Sequence, residues 1–113
     1  MHNLRVMMCA GPNAVTDETI DLHHVNVQRT RYDGRRISLT PGLMATCLRQ
    51  MTCPVQVIWG EKDALCYPNI QPRVDEVRAA LPAIRIDVIP GAGHWVQYDA
   101  ADEVNRLLLY FLK

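Results

Sequence analysis

The chain has 113 residues, 49% of them hydrophobic, enough for one small domain that buries roughly 65% of the surface its unfolded chain exposes. Its 12 basic and 12 acidic residues leave a formal net charge of +0, which argues against nucleic acid as a partner, because polyanion binders carry a basic excess or stripe. The cysteines Cys9, Cys47, Cys53 and Cys66 form no C-x-x-C pair and no apolar run reaches membrane-spanning length, so the expectation is a cytoplasmic protein with no metal, no cofactor and no membrane contact.

The first part of the chain is weakly patterned. Leu4–Ala10 is apolar but short, and it runs into the turn residues Gly11-Pro12-Asn13. Thr16 followed by Asp17, Glu18 and Thr19 predicts a helix start, with Ile20, His24 and Val27 at helical spacing behind it. The adjacent His23 and His24 point about 100° apart on a helix, so a surface pair is expected rather than a metal site. Arg29, Arg31, Arg35 and Arg36, interrupted by Tyr32-Asp33-Gly34, read as a solvated polar stretch around a turn. Thr40-Pro41 predicts the start of a second helix, with Leu43, Cys47, Leu48 and Met51 as its buried stripe.

The second part is strongly patterned. After Cys53-Pro54, the run Val55-Gln56-Val57-Ile58-Trp59 is short, β-branched and almost wholly apolar, as in a parallel strand covered on both faces. Pro72 opens a helix carrying Val74, Val77 and Leu81, and Pro82 ends it. Ile84–Ile89 predicts a second strand. Asp99 is the expected cap of a last helix with Val104, Leu107, Leu108, Phe111 and Leu112 on its apolar face, acids at Asp102 and Glu103 near its start, and Lys113 at its end.

Strand, helix, strand, helix predicts two parallel neighbours joined by a crossover. Parallel neighbours lie about 4.8 Å apart, so the loops leaving their carboxyl ends emerge side by side, in the crevice where open α/β sheets bind ligands. Asp63 leaves the first strand in Trp59-Gly60-Glu61-Lys62-Asp63. His94 leaves the second, 31 positions later, in Gly91-Ala92-Gly93-His94-Trp95. An acid and a histidine brought together in that crevice form a general-base pair. Glu61 and Asp99 are competing acids, but Glu61 sits earlier in its loop and Asp99 reads as a cap. Gly91 and Gly93 are expected to supply positive φ and a close approach.

Residues 52–113 resemble the C-terminal end of the α/β-hydrolase fold family. Pro54-Val-Gln-Val-Ile-Trp-Gly-Glu-Lys-Asp63 is similar to its seventh strand and acid loop, Pro90-Gly-Ala-Gly-His94 to its histidine loop, and Asp102-Glu-Val-Asn-Arg-Leu-Leu-Leu-Tyr-Phe111 to its final helix. Gly93-His94-Trp95-Val96-Gln97-Tyr98 further resembles the carbon-carbon bond hydrolases of aromatic ring degradation. The resemblance implies an α/β class, a partial α/β-hydrolase fold whose strand-helix-strand-helix unit follows a helical cap-like segment and connector at residues 1–51. It implies His94 as general base, Asp63 as its orienting acid and Trp95 as a substrate-binding residue, acting on a small-molecule ester or carbon-carbon bond in the complete enzyme.

One member of the triad is missing. The family places its nucleophile on a Gly-x-Ser-x-Gly turn, which also builds part of the oxyanion hole, and this chain has no such turn. Its single serine, Ser38, lies in Arg36-Ile37-Ser38-Leu39-Thr40 without either elbow glycine. The expectation is therefore a C-terminal fragment, or a truncated product, that is inactive alone; the alternative is a non-catalytic interaction module derived from the fold. A two-stranded sheet also leaves one strand edge uncovered, so self-association through that edge is expected.

Overall fold

A computed structural model describes residues 2–11, 13–32, 42–66 and 68–113. It has mixed α/β content built on two parallel strands, consistent with the partial α/β-hydrolase fold that the resemblance implies. The elements are a π-helical turn at Leu4–Met8, then α1 (Asp17–Arg29), α2 (Leu43–Leu48), β1 (Gln56–Gly60), α3 (Gln71–Ala80), β2 (Arg85–Ile89), α4 (Val96–Asp99) and α5 (Ala101–Phe111).

Thr16 caps α1 as expected, but its reciprocal partner is Thr19: the Thr16 hydroxyl accepts from Thr19 N–H at 3.2 Å, and Thr19 Oγ1 takes the Thr16 N–H at 3.5 Å. The buried side of α1 is Thr19 with half-buried Ile20 and His23, whereas His24 and Val27 of the expected stripe are exposed. A helix of low overall hydrophobicity touches the rest of the protein through few residues, and of those spacing alone found only Ile20. The start of α2 differs as well. Its cap is Gly42 at φ 72, and its buried residues are Ala45 and Leu48, while Leu43, Cys47 and Met51 are exposed. With only six residues, α2 has one short face to bury, and the small Ala45 lets it approach α3 closely. Thr40-Pro41, Asp33-Gly34, Arg35, Arg36 and Ser38 lie outside the described residues.

The two strands pair from Gln56↔Arg85 to Gly60↔Ile89. Alternation then divides their side chains between two cores. Val57, Trp59 and Ile86 pack against Ala45, Leu48, Val77, Ala80 and Ile84, the α2–α3 side. Ile58 and Ile89 pack with Ala92, Val96, Val104 and Leu107, the α5 side. Covering both faces is what a near-continuous apolar strand requires. The strands begin one residue later than expected, Pro72 sits at the second position of α3, and α3 buries Val74, Val77 and Ala80 with Leu81 half-buried just beyond. In α5, Val104 and Leu107 are buried, but Leu108 and Leu112 of the expected stripe are exposed. Among the described residues no helix is long and apolar enough to cross a membrane.

Candidate acid–base site

The ladder between the strands does not stop at their ends. Glu61 N–H donates to Ile89 O at 3.0 Å and Lys62 N–H to Ala92 O at 2.8 Å, while Gly91 N–H returns a bond to the exposed Glu61 carboxylate at 2.9 Å. Glu61 therefore ties the two loops together rather than facing the histidine. Gly60 lies directly beneath the crossing: a Cβ there would meet Gly93 O and the Ala92 carbonyl within 3.0 Å. The two loops can be this close only because residue 60 has no side chain.

The zipped loops present Asp63 to His94. His94 Nδ1 and Asp63 Oδ2 are 2.9 Å apart, with the Asp63 side chain only 3% exposed and that of His94 37% exposed. The second carboxylate oxygen, Oδ1, accepts the Leu65 N–H at 2.9 Å, so both oxygens of the buried carboxylate are satisfied. A carboxylate that accepts from Nδ1–H leaves Nε2 as the basic nitrogen of the neutral ring. Among the described residues nothing bonds Nε2.

Cys66 lies beside the pair. Burial, and then the Asp63 charge, push its thiol above the ordinary value of 9.0, so it stays protonated at neutral pH and does not behave as an activated nucleophile. All four cysteines are free: Cys9 is buried, Cys66 half-buried, Cys47 and Cys53 exposed. A cavity of about 250 Å³ adjoins the acid loop, lined by Leu65, Cys66, Asn69, Pro72, Arg73 and Glu76. His94 does not line it.

Trp95 packs edge-on to His23 of α1, with ring centroids 5.7 Å apart, and tilted against Tyr98 at 5.3 Å. His23 is thus engaged by an aromatic ring, and among the described residues no cluster of three metal-ligating side chains occurs. Of the two loop glycines only Gly91 has positive φ, at 75°. Gly93 is needed for space instead, since a Cβ there would stand 2.7 Å from Ala10 N.

Asp99 corrects the sequence reading. It is the last residue of α4, and α5 begins after Ala100 with no side-chain cap. Its carboxylate accepts the N–H groups of Gly93, Ala10 and Gly11 at 2.6, 2.7 and 3.1 Å. Two of those donors are 88 and 89 positions away, a relation that no local pattern encodes. An acid just before a helix looks like a cap whether or not it serves as one.

Comparison with known proteins follows the same outline. Epoxide hydrolase 3 of Xenopus tropicalis is 28% identical over 117 residues, covering 88% of this chain and 31% of that protein. A 2-hydroxy-6-oxononadienedioate/2-hydroxy-6-oxononatrienedioate hydrolase of a Pseudomonas species is 29% identical over 121 residues, covering 99% of this chain and 42% of that protein. A shorter match, 40% identical over 60 residues, covers 53% of this chain and 14% of the dihydrolipoyllysine-residue acetyltransferase component of the acetoin cleaving system of Pseudomonas putida. No family model matches the chain, and no solved structure matches it significantly. The chain thus resembles the C-terminal portion of α/β-hydrolases, and it spans 31% and 42% of the length of the first two relatives.

Proposed function

We propose that this chain supplies the acid–base part of a hydrolase catalytic triad, with His94 as general base and general acid and Asp63 as its orienting carboxylate. The observation that carries the reading is the 2.9 Å contact between His94 Nδ1 and a 3%-exposed Asp63 carboxylate, in loops that resemble those of hydrolases. Asp63 holds the proton on Nδ1 and stabilises the imidazolium once it forms. Nε2 then takes the proton of a hydroxyl nucleophile or of water as that oxygen attacks the substrate carbon, and returns it to the leaving group when the ester or carbon-carbon bond breaks. The chemistry invokes no metal or cofactor.

The nucleophile and the oxyanion hole come from sheet positions this chain does not contain, since it has no Gly-x-Ser-x-Gly turn. In this reading residues 52–113 are the C-terminal part of the hydrolase core, residues 1–51 belong to the cap and connector, and Trp95 contributes to the wall of the small-molecule pocket. The isolated chain is then without triad-type turnover.

A chimera tests the reading. The chain is grafted in place of the matching C-terminal part of a related hydrolase, and hydrolysis of that enzyme's substrate is measured. The grafted enzyme is expected to turn over, and His94→Ala or Asp63→Asn to reduce kcat/KM by about 10³-fold or more. A folded chimera without turnover, or one indifferent to His94→Ala, would sink the reading.

A further inference from the structure

Three backbone N–H groups converge on one carboxylate outside the acid–base pair. Gly93, Ala10 and Gly11 donate to Asp99 at 2.6, 2.7 and 3.1 Å. The first donor immediately precedes His94, and the other two belong to the segment ahead of α1. That segment is held a second time, because Trp95 N–H donates to Met8 O at 2.6 Å. The amides on either side of His94 are therefore both anchored to the same arrangement, Gly93 through the Asp99 carboxylate and Trp95 through Met8. Contact there is close enough to require glycine: a Cβ on Gly93 would stand 2.7 Å from Ala10 N and 3.1 Å from Asp99 Oδ2.

An N-cap carboxylate would accept from the first turn of its own helix, and Asp99 makes no such bond to α5. All three of its bonds lead to the histidine loop or to the segment lying against it. Bonds from N–H groups to an ionised carboxylate are shorter and stronger than neutral ones, so this carboxylate is well suited to fix backbone. The burial of Cys9, whose thiol is pushed above its ordinary value first by burial and then by the Asp99 charge, places the segment firmly against the same group.

We propose that Asp99 is a positioning residue for His94. By holding the backbone before His94 to the Ala10–Gly11 segment, it sets the approach of Nδ1 to Asp63 and makes that segment part of the scaffold of the acid–base pair. The proposal deepens the hydrolase reading and rests on it for the importance of His94.

The test follows the His94 Nδ1–H proton in the full chain by NMR, as its rate of exchange with water. Asp99→Asn is expected to speed that exchange about ten-fold or more, the opening that loss of a charged hydrogen bond allows. Asp102→Asn, which removes an exposed carboxylate at the start of α5, is expected to leave it unchanged. Circular dichroism and Tm report whether each variant is folded. A folded Asp99→Asn chain with wild-type exchange overturns the proposal.

Should Asp99→Asn fail to fold, the wild-type chain decides. The amides of Ala10, Gly11 and Gly93 and the His94 Nδ1–H are expected to open at one common rate, faster than the amide of Val77 in the core. Unrelated rates overturn the proposal. None of these readouts involves turnover. A chimera that fails to hydrolyse substrate counts against the hydrolase reading alone, and unaltered exchange in Asp99→Asn counts against the clamp alone.

Discussion

Gly60 has no room for a side chain, because the histidine loop crosses it with the Ala92 and Gly93 carbonyls within 3.0 Å of where a Cβ would stand. The atoms in the way are backbone, which the ladder bonds from Glu61 and Lys62 hold in place. Gly60→Ala is therefore expected to cost about 3 kcal/mol, at the upper end of overpacking, read as a lowered midpoint in urea. The same push separates the loops that carry Asp63 and His94, so the substitution is expected to weaken their contact even in a chain that remains folded. Asp63 and His94 were legible in the sequence because each follows an apolar strand in a glycine-bearing loop. Gly60 was legible only as part of the acid loop, and its reason for being glycine depends on a neighbour 33 positions later in the chain. Asp99 was misread for the same reason: its donors belong to distant backbone, and nothing beside it in sequence distinguishes a clamp from a cap.

At the scale of elements, patterning succeeded where an element is covered on both faces, as the strands are, or buries one regular stripe, as α3 does, and failed where it touches the protein through a few residues. β1, α3 and β2 were placed to within a residue or so, since Val57, Ile58, Val77 and Ile86 all enter a core. The stripes expected of α1, α2 and the end of α5 included residues the structure exposes, because α1 buries only Thr19, α2 only Ala45 and Leu48, and the last turn of α5 none, while periodicity marks several equally spaced sets. The α5 face of the sheet also carries a polar group that hydropathy does not anticipate. Arg85 Nε donates to Asp87 Oδ2 at 2.9 Å, Gln56 Nε2 donates to the same oxygen at 2.8 Å, and the Arg85 guanidinium lies 4.6 Å from the centre of the Tyr110 ring. The Arg85 hydrogen bond, and more weakly that of Gln56, hold the Asp87 carboxyl below its ordinary value of 3.8. A carboxyl lowered on folding contributes stability that is complete above the unfolded value and is lost as pH falls through the folded one. Wild-type stability is thus expected to drop as pH is lowered below 3.8, and Asp87→Asn to flatten that part of the curve, as read by urea melts at pH 7 and pH 3. An equally steep acid limb in Asp87→Asn would assign the loss to other carboxylates.

At the scale of the whole molecule, two features single out β1. The sheet has two strands among the described residues, so β1 has an edge without a partner there, and Gln56 Oε1 in that strand is buried without a hydrogen bond. An unpartnered strand edge is a surface for pairing, and we propose that the chain associates with itself there, which size-exclusion chromatography across a concentration series tests. What the chain holds by itself is the pair, and the pair exists only through the fold: Asp63 and His94 are 31 positions apart and meet because the strands are parallel neighbours. The measurement that tests this most directly is the ¹⁵N spectrum of the His94 imidazole in the folded chain, taken at a pH where the ring is neutral. The expected result is a proton on Nδ1 and a bare Nε2, with that preference lost in Asp63→Asn and on unfolding in urea. A ring protonated on Nε2 in the wild-type chain, or a tautomer that Asp63→Asn leaves unchanged, would contradict it.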